Sequence, residues 1–234
     1  GSAQTRLVFA TWVQRNSFTG TDQAIFSGLK NISGTNLVNR FVWHASDDMI
    51  EIHIEDVNAA TIAYKTSRVF RDIGWYHLIL SIDSNETDSV QLYVNGVRET
   101  SFAEGTMPSL NYETNWNTAN LHLFGKYGGG TGNPCDGYMA ECHHIDGTAL
   151  DPSSFGETND NGIWIPKKYS GSYGTNGFFI DGRDASDLGD DESGNGNDFT
   201  TSGLTSADQM ADTPTNNHAV MNILDSRTTA NWTI

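Results

Sequence analysis

Glu51, His53 and Glu55 alternate with Ile50, Ile52 and Ile54. In an extended chain successive side chains point to opposite faces, so the three polar groups share one face and the isoleucines the other. Two carboxylates on one face are the equipment of glycoside cleavage, in which one donates a proton and the other attacks or activates water. The same pattern describes a strand that buries its isoleucines and turns its charges to solvent. The residues leave both readings open.

Two further constellations could bind rather than react. Asp191-x-Ser193-x-Asn195-Gly196 places oxygen donors at alternate positions ahead of a glycine, as the first half of a calcium-binding loop does. The twelfth position is Ser202 rather than a bidentate glutamate, which excludes an EF-hand. Asp181 and Asp184, at the end of an apolar run, are the expected further donors, with Asn197 inside the loop. The alternative is a polar turn whose Asn and Gly satisfy backbone geometry. Tyr112 and Trp116 on one expected loop, and Tyr127 on another, could stack on pyranose rings while Asn and Asp reach hydroxyls. They could equally pack under their loops as satellite clusters. Cys142, His143 and His144 are adjacent, but consecutive strand residues face opposite ways and cannot easily share one ion. Cys135 and Cys142 are expected as separate thiols, because one extended strand would hold them about 20 Å apart.

The elements that must position these groups are strands. Tyr76, Leu78, Leu80 and Ile82 alternate with residues of mixed polarity, predicting a strand with one buried face. After a polar, acidic loop over Ser84–Ser89 the pattern repeats through Val90, Leu92 and Val94. It stops at Asn95-Gly96, the dipeptide that suits the positive φ angles of a tight hairpin turn. Two hairpins in series make a β-meander. Further strands are expected over Arg6–Arg15, Ala24–Ser27, Leu37–Trp43, Met49–Glu55, Thr61–Phe70 and Leu121–Gly125, with Ser101–Asn117 as a long rim loop. With 234 residues, 24 of them Gly and only 18% charged, the chain suits one large all-β domain with an extension. A net charge of −16 argues against nucleic acid as a partner, and the absence of a long apolar run argues against a membrane span. Gly1-Ser2 reads as a cloning remnant, so the native start is expected to lie outside this chain.

A resemblance accompanies these strands. Trp75-Tyr76-His77, an aliphatic run ending in Asp83, and Leu92-Tyr93-Val94-Asn95-Gly96-Val97 resemble the central signature of laminin-G-like and pentraxin-like domains. Gly137-Tyr138-Met139-Ala140-Glu141, Ile145-Asp146-Gly147 and Ala149-Leu150 resemble that family's late strand and following turn, so the landmarks cover residues 7–156. The resemblance implies a concanavalin A-like jelly-roll β-sandwich over residues 1–180, with an Asp/Asn/Gly-rich extension over residues 181–234. It also implies a calcium site near the Asp191–Asn197 segment. Jelly-roll glycosidases carry a strand similar to Glu51–Glu55 with Asp at its centre; His53 stands there instead, so no enzyme is expected.

Trp164-Ile165-Pro166-Lys167, Ser172–Phe178, Ser193–Asp198 and Asp212–Asn217 resemble a module of structural and tail-associated proteins of marine bacteriophages. That likeness implies a virion or extracellular location, with other virion proteins as neighbours. The expected function is a non-catalytic virion module that binds glycans or a host surface such as cell-surface polysaccharide. The alternatives are a polysaccharide-cleaving hydrolase, with Glu51 and Glu55 lining a cleft, and a ligand-free spacer.

Overall fold

In the computed structural model residues 5–210 are described, except 19, 33–34, 56–60, 107–110, 112–113, 119 and 127–133, together with residue 214. The strands are β1 (Arg6–Arg15), β2 (Gln23–Ile32), β3 (Thr35–Trp43), β4 (Met49–Glu55), β5 (Thr61–Val69), β6 (Trp75–Asp83) and β7 (Val90–Val94). They continue with β8 (Val97–Arg98), β9 (Phe102–Gly105), β10 (Leu121–Phe124), β11 (Gly137–Asp146), β12 (Gly156–Thr158), β13 (Trp164–Pro166) and β14 (Phe178–Ile180). One six-stranded sheet runs β14-β11-β1-β6-β7-β8, the other β10-β2-β3-β4-β5-β9, and every pairing is antiparallel. This is the expected all-β jelly-roll sandwich. Among the described residues no helix is long and apolar enough to cross a membrane.

Alternation builds the core. Tyr76, Leu78, Leu80 and Ile82 from β6 and Val90, Leu92 and Val94 from β7 all enter the space between the sheets, where they meet Phe41, Ile50, Ile52 and Ile54 of the other sheet. A bulge between Ala24 and Phe26 lets Ile25 and Phe26 both point inward, and Phe26 stacks on Phe9 at 4.3 Å. Leu80 lies at the middle of this packing and is wholly buried. Leu80→Ala should therefore cost about 2–5 kcal/mol in a urea titration. A loss well below that range would mean that the centre of the sandwich is loosely packed.

The turn at Asn95-Gly96 has the expected geometry, with φ of 51° and 76°. Gly96 is needed for a second reason. A Cβ there would sit 2.7 Å from the Trp164 ring, which lies against the hairpin. Trp164 belongs to a cover that the sequence did not reveal. Residues 147–175 cross the outer face of the β1–β6–β11 sheet, and Phe155, Leu150, Tyr169 and Tyr173 pack there on Val8, Ala10, Ile79 and Ile145. The expectation of one buried face for β6 is thus corrected: His77, Ile79 and Ser81 are buried beneath the cover, so both faces are enclosed. Trp164 Nε1 donates to His77 Nδ1 at 2.9 Å, and Tyr173 Oη lies 3.0 Å from His143 Nδ1.

The stretch Ser101–Asn117 is not wholly loop, since β9 pairs with β5 at the sheet edge. Beyond β14 the chain returns to the sandwich. Glu192 N–H donates to Phe179 O, and Phe199 packs against Phe124 and Phe178 with ring centroids 4.7 and 4.9 Å away. Cys135 and Cys142 are free thiols, each pushed up to about 12 by burial.

Candidate functional site

Because Phe41, Ile50, Ile52, Ile54 and Tyr64 fill the core, the alternate positions of β3, β4 and β5 face outward. Register places Arg40 opposite His53, Val42 opposite Glu51, and Glu51 opposite Lys65. The result is a lattice of half-buried charges. Arg40 Nε and Nη2 both donate to Glu51 Oε1, at 3.1 and 2.7 Å. Lys65 Nζ meets Asp47 Oδ2 at 3.0 Å and Glu104 Oε1 at 3.3 Å, and His44 Nδ1 lies 3.0 Å from Asp47 Oδ1. Burial alone would raise the Asp47 carboxyl, but Lys65, the Met49 N–H and His44 together hold it below its ordinary value. Its carboxylate in turn holds Lys65 above the usual lysine value despite burial, with help from Glu104.

Glu55 does a different job. The β3–β4 ladder ends at Arg40 and His53, and side chains carry the pairing on. Glu55 Oε2 accepts the Val38 N–H at 2.9 Å, Asn39 Oδ1 accepts the Glu55 N–H at 2.9 Å, and His53 Nε2 lies 3.2 Å from Glu55 Oε1. Glu55 therefore splices two strands. Both glutamates are thus tied into the sheet, Glu51 by the Arg40 guanidinium and Glu55 by the Val38 N–H and His53. What the face can do is present a pre-organised array of donors and acceptors. Sequence reasoning found Glu51, His53 and Glu55 but missed Arg40, His44, Asp47 and Lys65. Aligning the expected hairpins in register would have brought Arg40 and Lys65 beside Glu51.

Trp116 requires a correction. It was expected on an exposed rim loop; instead it is fully buried in a 3₁₀ turn over Asn115–Asn117 and joins the core cluster between the sheets. Its ring lies 5.8 Å from Phe26, and a Cβ on Gly28 would come within 2.7 Å of it. Burial wins because a large indole gains more from the core than from a polar loop. It cannot stack on a sugar from there. Tyr112 and Tyr127 lie outside the described residues.

The residues expected to hold calcium are engaged with hydrogen-bond partners of the chain itself. Asp191 is almost wholly buried, and each contact with its carboxylate comes from a donor. Oδ1 accepts the N–H groups of Phe179 and Ser193 at 2.8 and 2.9 Å; Oδ2 accepts Ser193 Oγ–H and the Asn197 N–H, both at 2.9 Å. Asn195 and Asn197 turn their amide nitrogens to backbone carbonyls, both reaching Gly177 O at 2.8 Å. Asp181 pairs with Arg183 at 2.9 Å, and Asp184 accepts from the Ser186 hydroxyl and N–H, which hold its carboxyl below the ordinary value. A calcium cage gathers oxygens around a cation. This loop gathers donors around an anion. Among the described residues no cluster of three His, Cys, Asp or Glu side chains could hold a metal.

Comparison with known proteins places the fold. A family profile described as the concanavalin A-like lectin/glucanases superfamily matches residues 4–154. No curated protein sequence matches the chain. Among solved structures, a heptameric SAP-like pentraxin from Limulus polyphemus is similar at 14% identity and a TM-score of 0.44, over 63% of this chain and 66% of that one. Tailspike protein 2 of an Escherichia coli O157:H7 bacteriophage is similar at 10% identity and a TM-score of 0.46, over 63% of this chain and 20% of its own. A candidate carbohydrate-binding protein from Bacteroides ovatus is similar at 16% identity and a TM-score of 0.46, over 77% of this chain and 50% of its own. The matched region spans only part of each.

Proposed function

Because this chain belongs to the concanavalin A-like lectin/glucanases superfamily, we propose that it is a non-catalytic module that grips glycans through the outer face of β3, β4 and β5. The observation that carries this reading is the commitment of both glutamates: Glu51 is held by the Arg40 guanidinium and Glu55 by the Val38 N–H and His53. A face built this way holds its carboxylates in fixed positions and offers hydrogen bonds to a ligand. The resemblance of the C-terminal motifs to marine phage modules supports a place on a virion, among other virion proteins, with host-surface polysaccharide as the target. One such site would bind weakly, and attachment would rely on many copies acting together. Calcium has no part in the proposed chemistry.

The test pairs binding with cleavage. Wild-type protein should bind at least one polysaccharide on a glycan array and release no reducing sugar from it. Sugar released by the wild type and lost in Glu51→Gln would make the protein a hydrolase. Neither binding nor release across the array would make it a spacer. An antibody against the domain should label intact particles of the phage that encodes it.

A further inference from the structure

Resting on that glycan-binding reading, we infer that the face selects a neutral polyhydroxyl chain and turns away polymers that carry uronate, sulfate or phosphate. Its carboxylates are Asp47, Glu51, Glu55 and Glu104, while Arg40 and Lys65 are the permanent cations of β3–β5 on that side. Both cations are already engaged, Arg40 with Glu51 at 2.7 Å and Lys65 with Asp47 at 3.0 Å. An incoming anion would have to break one of these half-buried pairs and leave a carboxylate without its partner, which is costly away from water. The chain's net charge of −16 adds long-range repulsion before contact.

Hydroxyl groups meet the opposite situation. Glu51 Oε1 is taken by Arg40, while His44 Nε2 lies 3.9 Å from Oε2, beyond hydrogen-bond reach, and no other described group donates to that oxygen. That leaves one half-buried carboxylate oxygen free to accept from sugar hydroxyls, and a hydrogen bond to an ionised acceptor is among the stronger kinds. The pair with Arg40 fixes its position in advance, so little order is lost on binding. A neutral chain gains these bonds without disturbing an ion pair.

The experiment measures binding of the intact protein to laminarin and a neutral mannan, and to alginate and a sulfated galactan, each at low and high salt. The expected result is binding to at least one neutral polymer with little salt dependence, and none to the acidic ones. Glu51→Gln replaces one carboxylate oxygen with an amide nitrogen and removes the negative charge that faces Arg40. It should weaken neutral binding about tenfold and give measurable alginate binding that salt abolishes. Glu104→Gln removes the exposed partner of Lys65, leaves its closer pair with Asp47, and should also raise alginate binding. Wild-type binding to acidic polymers, weakening as salt rises, would overturn the selectivity while leaving the glycan reading intact. Binding to no polymer at all would overturn both.

Discussion

Acidification should unfold this protein near pH 5, higher than carboxylate titration alone would bring about. Burial lowers His77, His143 and His144 to about 3, and lowers His122 as well. In the unfolded chain the same imidazoles take up protons at about pH 6.5. Between those values the unfolded state binds protons that the folded state refuses, so stability falls as pH falls. The loss starts below about pH 6.5 and levels off near 3, where both states are protonated. Each imidazole removes about 1.4 kcal/mol per pH unit in that window, so three together remove about 6 kcal/mol by pH 5, which exhausts a stability at the lower end of the typical range of about 5–15 kcal/mol. Asp47, held below its ordinary value, adds a loss only in the carboxylate range.

The cover over the first sheet is where protons act most directly. Trp164 Nε1 can only donate, so His77 Nδ1 must accept from it, and a proton there ends the bond. The contact of His143 Nδ1 with the Tyr173 hydroxyl depends on the same ring nitrogen. His144 lies against Phe178 with ring centroids 5.2 Å apart, and neither of its nitrogens has a hydrogen-bond partner among the described residues. Circular dichroism and tryptophan fluorescence against pH should show one transition near pH 5, moved lower by His144→Phe. A midpoint below about pH 4 that ignores this variant would remove the buried histidines from the account.

The second large effect is expected at Asp191. Four N–H and O–H groups point at its carboxylate, and Asp191→Ala would leave the Phe179, Ser193 and Asn197 N–H groups without their acceptor. Leaving a buried donor unsatisfied costs about 1–3 kcal/mol, so the three orphaned N–H groups set a loss of about 3–9 kcal/mol. Asp191→Asn keeps the shape but points an amide N–H at those donors, and should lose about half as much. Added calcium or a chelator should leave the melting temperature of the wild type unchanged, because N–H and O–H donors already occupy the Asp191 carboxylate. A melt raised by calcium and lowered by the chelator would show that the oxygens around Asp191 hold an ion after all.

The sandwich was legible because alternation is a local signal. Leu78, Leu80, Val90 and Leu92 declare their common face within a few residues of chain, and Asn95-Gly96 declares the turn between strands. What stayed hidden depended on distant partners. His77 and Ser81 look like solvent-facing positions until Trp164 and its neighbours, far along the chain, arrive to cover them. Trp116 sits among Asn and Thr, the composition of a rim, and only the gap left by Gly28 shows where its ring goes. The Asp191 loop has a composition shared by calcium loops and by hydrogen-bonded turns. They differ in whether oxygens or N–H groups converge on the carboxylate, and that is a matter of geometry. The binding face was half legible: the strand carrying Glu51 and Glu55 could be read, but its ion pairs required the register of three strands.

Glycan binding across β3, β4 and β5 is tested most directly by amide chemical-shift mapping. Neutral oligosaccharide titrated into isotopically labelled protein should shift the amides of Arg40, Glu51, His53, Glu55 and Lys65 together, with one common saturation curve. Shifts confined to the cover at Trp164–Tyr173, or to the Asp191 loop, with those five unmoved, would contradict it.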